Sequence, residues 1–200
     1  MIRFKDTTPV QEKLTRSQDG LCKKYDGITV TDVINLEESK KIVKFIEENK
    51  SEGAKDSPAG VVKTSNVILC PWYHLQNKLP YLLDKIYMTN SNYFGFDIFP
   101  TPAEQALNLN TYRVGQEYKY HQDGSDFAVN DLKLTCLLNV STEPYEGGDF
   151  YLKYGDEDRK TELPPGSLLI FKPYVFHRVT PVTKGVRKTL TLWMYGPRWK

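Results

Sequence analysis

Cysteine is scarce in this chain. Cys22, Cys70 and Cys136 are odd in number and no two stand at CxxC spacing, so spacing supports neither a disulfide framework nor a thiolate zinc site. A reducing compartment, the cytoplasm, is the matching expectation. Long apolar runs are missing as well. Nothing approaches the roughly 18 residues of a membrane span, and MIRFKDTTPVQEKL lacks the apolar stretch that marks export. No membrane partner is expected. Charge of one sign is also lacking: 27 basic residues against 25 acidic ones leave a formal charge of +2. That is too weak a field to draw in a nucleic acid, and none is expected as partner. Histidine is as rare as cysteine, with three in 200 residues.

What remains is a globular composition, 40% hydrophobic and 26% charged, in a chain long enough to bury its own core. It reads as a single domain over 1–200, with a helical support about 1–96 and a β core about 97–200. After the strand-like DGITVTDVI, Asn35 and Glu38 stand at capping-box spacing, and Leu36, Ile42, Val43 and Ile46 follow at helical intervals. Leu79, Leu82, Leu83, Ile86 and Tyr87 repeat in the same way, with Pro80 early enough for a first turn. Between the helices, 53–66 is rich in small residues with Pro58 and Gly60, and reads as a long connection.

From about residue 97 the segments become short and rich in Val, Leu, Thr, Tyr and Phe. Strands are expected at 106–114, 118–123, 133–140, 149–153, 167–171, 176–180 and 186–195. Such spacing suits a sandwich or barrel, with the two helices covering one face.

Two residues in YRVGQEYKYHQDGS then matter. On a strand, positions i and i+2 project to one side, so His121 and Asp123 can reach one ion. Alone the pair says little. A second signal lies in SLLIFKPYVFHRVTPVTKGVRKTLTLWMYGP, where two β-like runs flank TPVTKG and predict a hairpin centred near Val182. His177 and Arg187 lie equally far from that centre, so the hairpin would set them opposite one another on one face. Arg178 would point away. Alternation puts Arg187, Thr189, Thr191 and Trp193 on one face of the last strand and Lys188, Leu190, Leu192 and Met194 on the other. Two imidazoles and one carboxylate with open positions suit non-haem Fe(II), whereas a structural zinc site is more often closed by a fourth ligand. His74 is the only histidine left for that role, and it reads as a loop or surface residue. A buried Arg187 needs an anion, either an acidic residue of the chain or a dicarboxylic cosubstrate.

YRVGQEYKYHQD, EGGDFYL and GSLLIFKPYVFHRVTPVTKGVRKTLTLW resemble the 2-oxoglutarate and Fe(II)-dependent oxygenases of the prolyl 4-hydroxylase type, especially the PKHD-type hydroxylases. The resemblance covers roughly 105–197. It implies a double-stranded β-helix (jelly-roll) core in an α+β fold, with the N-terminal helices packed on one sheet. It implies iron ligands at His121, Asp123 and His177, and a catalytic set completed by Arg187 on the far carboxylate of 2-oxoglutarate. Tyr112, Thr191 and Trp193 fall where cosubstrate-pocket residues stand in the family, and Tyr118 matches an aromatic expected to give structural support. Gly147 and Gly148 are expected to shape a turn. The implied cofactors are Fe(II), 2-oxoglutarate and O2, with ascorbate as a candidate reductant.

The implied reaction is hydroxylation of a C–H bond with release of succinate and CO2, on a prolyl residue of a protein or peptide partner. The same chemistry on a small molecule, a free amino acid or an alkylated nucleobase is the alternative. For the nucleobase version, the family places its cosubstrate arginine further beyond the distal histidine and adds a second one. A catalytically silent jelly-roll module is another reading, disfavoured by the intact set of four. The 53–66 connection and GSDFAVND, 124–131, are the expected lid and rim. Oligomeric state is not legible in these residues.

Overall fold

The structure, a computed structural model, describes residues 26–49, 63–124 and 131–198. Cys22 and most of the expected lid and rim lie outside them. Helix α1, Leu36–Glu48, begins where the sequence predicts: Asn35 Oδ1 accepts from the Glu38 amide at 2.9 Å, and Glu38 Oε2 accepts from the Asn35 amide at 2.7 Å. These reciprocal bonds satisfy two amides that a helix start otherwise leaves open. A single turn, α2, covers Trp72–Leu75. Helix α3, Leu82–Thr89, starts after Pro80 and runs into a π-helical turn, Asn90–Phe94, ended by Gly95 at φ 68°. No helix among the described residues is long and apolar enough to cross a membrane.

Twelve strands follow in chain order among the described residues: β1 Gly27–Val30, β2 Asn66–Pro71, β3 Ala106–Tyr112, β4 Tyr118–His121, β5 Leu132–Asn139, β6 Glu146–Gly147, β7 Phe150–Tyr154, β8 Glu157–Thr161, β9 Leu168–Phe171, β10 His177–Val179, β11 Val182–Lys184 and β12 Arg187–Tyr195. A six-stranded sheet has the order β1-β9-β5-β12-β3-β2 and a four-stranded sheet the order β4-β10-β7-β8, while β11 pairs with β6. All named pairings are antiparallel. This is the expected double-stranded β-helix.

The six-stranded sheet separates two apolar clusters, and the side-chain alternation of its strands decides which residue joins which. Leu109 on β3, Leu134, Cys136 and Leu138 on β5, Ile170 on β9, and Leu190, Leu192 and Met194 on β12 pack with Ile42, Ile46 and Ile86 of α1 and α3. Leu137, Leu169 and Phe171 point the other way and meet Phe150, Leu152 and Val179 of the four-stranded sheet. Each fully buried aliphatic side chain contributes roughly 1.5–3 kcal/mol. The helices therefore cover one face of the large sheet, which leaves the space between the sheets for a site.

The hairpin expected around Val182 does not form. β10 lies in the small sheet, β12 lies in the large one, and the chain between them pairs as β11 with β6. Asp149 and Gly148 take up the backbone of Thr180 and Pro181 instead, at 2.9 and 3.1 Å. His177 and Arg187 thus face one space from different sheets rather than from one ribbon.

Candidate metal centre

The partner that stands directly across from His177 is His121, through the β10–β4 register. Their ring centroids are 4.1 Å apart. Asp123 follows two residues after His121, just past the end of β4, with its amide bonded to the Pro173 carbonyl at 2.9 Å. Asp123 Oδ1 is 3.6 Å from His121 Nε2 and 3.7 Å from His177 Nε2. One ligand atom from each of the three lies within 4.8 Å of the others, the only such group found among the described residues.

Each imidazole is turned by its own strand. His121 Nδ1 is 2.8 Å from the Lys119 carbonyl and His177 Nδ1 is 2.8 Å from the Val175 carbonyl. A carbonyl only accepts, so Nδ1 carries a proton in both rings, and Nε2 is the atom each ring can offer to a metal. On the carboxylate, Thr135 Oγ1 donates to Oδ2 at 2.7 Å and Trp193 Nε1 donates to the same atom at 3.1 Å. Oδ1 is thereby left facing the two Nε2 atoms. Tyr118 stacks on His121 with centroids 3.5 Å apart, and Phe171 meets His177 edge-on at 4.7 Å. Two imidazole nitrogens, one carboxylate oxygen and an open side fit iron of the non-haem oxygenase kind.

The electrostatics favour the ligating forms. Burial opposes charge on Asp123, but hydrogen bonding and charge from His121 and His177, with the Thr135 bond, outweigh it and hold the carboxyl at about 2. Burial pushes His177 down to about 4, against the attraction of Asp123, so its ring stays neutral through physiological pH.

A cavity of about 420 Å³ opens from these residues and is lined along β12 by Arg187, Thr189, Thr191 and Trp193. The predicted alternation of that strand is borne out. Arg187, only 2% exposed, stands opposite Tyr112 in the β12–β3 register, with its guanidinium 5.4 Å from the Tyr112 ring centroid. Among the described residues, Asp123 is the only acidic one lining this cavity, so Arg187 meets no other described carboxylate within it. Gly148 explains how the arginine passes. At φ 62°, a Cβ there would lie 2.8 Å from Arg187 Cδ, so the glycine does more than turn the chain.

Among the remaining expected site residues, Tyr112 is buried beneath Arg187 and Thr191 Oγ1 accepts from Asn110 Nδ2 at 2.9 Å. Trp193 has its polar atom committed to Asp123, so only its ring is left for the cavity. His74 stays away: it is exposed on α2 and packs against Tyr73 and Phe45, with centroids 4.1 and 6.1 Å away. Arg178 points outward between Tyr120 and Tyr151, as alternation predicts. The sequence reading misses Thr135, Asn110 and Lys63. Thr135 had a signal, being the polar residue in the middle of the apolar LKLTCLLN.

Residues 107–195 match the family model of the 2OG-Fe(II) oxygenase superfamily. A PKHD-type hydroxylase of Gloeothece citriformis is 33% identical over 93 residues, 44% of this chain and 42% of that protein. Another from Aliarcobacter butzleri is 35% identical over 102 residues, 46% of this chain and 45% of that protein. The matched segment thus spans less than half the length of these relatives. Among solved structures, a Pseudomonas putida prolyl-4-hydroxylase superposes with a TM-score of 0.68 at 14% identity, covering 86% of this chain and 94% of that one. A viral collagen prolyl hydroxylase from Paramecium Bursaria Chlorella virus-1, in complex with 2OG, gives 0.64 at 16%, covering 86% and 97%. At such identities the likeness speaks for the fold. The fold is prolyl 4-hydroxylase-like in architecture, and residues 107–195, which hold His121, Asp123 and His177, are similar to the 2OG-Fe(II) oxygenase superfamily. There the sequence is similar to the PKHD-type hydroxylases.

Proposed function

We propose that this protein hydroxylates a C–H bond, that of a prolyl residue in a protein or peptide, while 2-oxoglutarate is converted to succinate and CO2. The carrying observation is that His121, Asp123 and His177 share one cavity with Arg187, a buried cation with no other carboxylate of the described residues lining that cavity. In this reading His121 Nε2, His177 Nε2 and Asp123 Oδ1 hold Fe(II). Arg187 takes the far carboxylate of 2-oxoglutarate, and Tyr112 beneath it sets the guanidinium in place. Thr191 belongs to the same wall. When bound, iron and 2-oxoglutarate supply the oxidation, in which one atom of O2 enters succinate and the other enters the substrate as hydroxyl. The chain's own contribution is ligand geometry, a charge clamp and a cavity closed from bulk water on the Phe150 and Phe171 side.

A peptide substrate is supported by a solved relative of the same fold, a prolyl hydroxylase from Trichoplax adhaerens in complex with a hypoxia inducible factor fragment, at TM-score 0.64 and 16% identity. The test is succinate release from 2-oxoglutarate with Fe(II) and ascorbate, paired with mass spectrometry for a 16 Da gain (one oxygen atom) on proline-containing peptides. His177→Ala should abolish both signals, since it removes one of three ligands. Normal turnover in that variant would sink the metal assignment. Succinate release without a mass gain on any peptide would retain the chemistry and reject the substrate.

A further inference from the structure

Lys63 is the third charged residue of the cavity, and the oxygenase reading gives it nothing to do. It lies just before β2, where it forms an isolated antiparallel bridge with Tyr118. The backbone is fixed there by Thr64, whose amide bonds the Glu117 carbonyl at 3.1 Å and whose hydroxyl accepts from the Glu117 amide at 2.8 Å. From this anchored position Lys63 Nζ donates to Asn110 Oδ1 at 2.6 Å and lies 5.0 Å from the Tyr118 ring centroid. Asn110 is oriented by its own amide, which donates to Thr191 Oγ1 at 2.9 Å and to the Asn108 carbonyl at 3.1 Å. Tyr118 in turn stacks on the ligand His121. The ammonium is thus held on a built shelf beside the metal face, with donor capacity to spare, since Asn110 takes one of its three protons.

A charge count says what that capacity is for. Among the described residues the cavity lining carries two cations, Lys63 and Arg187, and one carboxylate, Asp123, an excess of one positive charge. A divalent ion and the dianion of 2-oxoglutarate cancel and leave the excess in place. The two carboxylates of the cosubstrate already have partners, one at the metal and one at Arg187. Arg187 lies opposite Tyr112 on β3, while Asn110, the anchor of Lys63, stands opposite Thr189 two residues along. The unneutralised cation is therefore displaced from the cosubstrate clamp. Burial destabilises its charged form, lowering the amine to about 8 with only Asp123 acting against this, so a third anion would be welcome there.

Resting on the reading of this cavity as an oxygenase centre, we propose that Lys63 is its substrate-reading cation. The substrate presents a carboxylate to Lys63 Nζ while the carbon to be hydroxylated faces His121, Asp123 and His177. For a prolyl substrate that carboxylate is either the α-carboxylate of a terminal or free proline or the side chain of an adjacent acidic residue.

Binding under nitrogen tests this without turnover. Protein loaded with Fe(II) and 2-oxoglutarate is titrated calorimetrically with N-acetylproline against its amide, and with N-acetyl-Pro-Asp-amide against N-acetyl-Pro-Asn-amide. At least one carboxylate probe should bind about tenfold tighter than its neutral twin, and which pair responds identifies the source of the carboxylate. Lys63→Met should erase that preference, Lys63→Arg should keep most of it, and both should bind 2-oxoglutarate within about twofold of the parent. Equal binding within both pairs in the parent, or an undiminished preference in Lys63→Met, overturns the assignment. A Lys63→Met variant that loses 2-oxoglutarate by the same factor would make Lys63 a cosubstrate residue, which also overturns it. If the parent fails to bind 2-oxoglutarate with Fe(II), the oxygenase reading itself falls and takes this inference with it.

Discussion

Along β12, Leu190, Leu192 and Met194 meet the helices, and Arg187, Thr189, Thr191 and Trp193, each one position removed, meet the cavity. Apart from Lys188, which pairs with Glu47 of α1 at 2.7 Å, the outer face is apolar and asks only to be covered. The inner face carries a buried guanidinium, two buried threonines and an indole bonded to the Asp123 carboxylate. One strand thus holds the fold on one side and the chemistry on the other, and the two can be perturbed separately.

The largest effect on the outer side should come from Leu138→Ala, which empties a fully buried site under the helices. It should cost about 2–5 kcal/mol in denaturant unfolding, with the 2-oxoglutarate dissociation constant of the folded protein unchanged. A weakened constant would show the two faces to be coupled. On the inner side, Arg187→Met should raise that constant about 100-fold, while the ligand-free protein gains about 1 kcal/mol because an uncompensated buried cation is removed. Calorimetry and thermal unfolding read the two halves, and a loss of stability would mean that the guanidinium supports the fold. Trp193→Phe keeps the ring and deletes the donor to Asp123 Oδ2, so iron should bind about tenfold more weakly. Unchanged metal affinity would leave Thr135 as the sole support of that oxygen.

Lowering the pH tests the inner face in the absence of any ligand. His177 is held at about 4, below its ordinary 6.5, so the folded state binds fewer protons than the unfolded chain between those values. Its contribution is complete above pH 6.5 and is lost as pH falls through about 4, on the order of 3 kcal/mol. Asp123, held at about 2 against 3.8, extends the loss to lower pH. Unfolding of ligand-free His177→Gln should show a flatter dependence across pH 4–6.5.

What could be read in advance follows the same division. Helix α1 was legible because Asn35 and Glu38 state its start and Ile42, Val43 and Ile46 its buried face. β12 was legible because nine residues are enough for alternation to separate two environments. β8, EDRKT, escaped because four of its five residues are exposed and no apolar alternation marks it. β2, β6 and β11 were also missed, the last two being only two and three residues long. The expected hairpin failed for a different reason. Local turn chemistry at Pro181 and Gly185 says where the chain bends but not which sheet each arm joins, and that is settled by pairings far away in sequence. His177 was therefore assigned the right neighbourhood by the wrong partner: its opposite number is His121, not Arg187. His74, read as a loop or surface residue, is exposed on α2, with its ring against Tyr73 and Phe45.

The pairing of those two histidines has one more consequence. β4 is the edge of the small sheet and only four residues long, a strand with little of its own to resist peeling away. An ion shared by His121 and His177 ties that edge to its inner neighbour across 56 positions of chain (177 less 121). In the unfolded chain such a tie would restrict a loop of that length, a constraint worth about 4 kcal/mol when a disulfide imposes it. Under the proposed assignment a bound metal would serve as a removable cross-link, a clasp that keeps the edge strand of its own site in register.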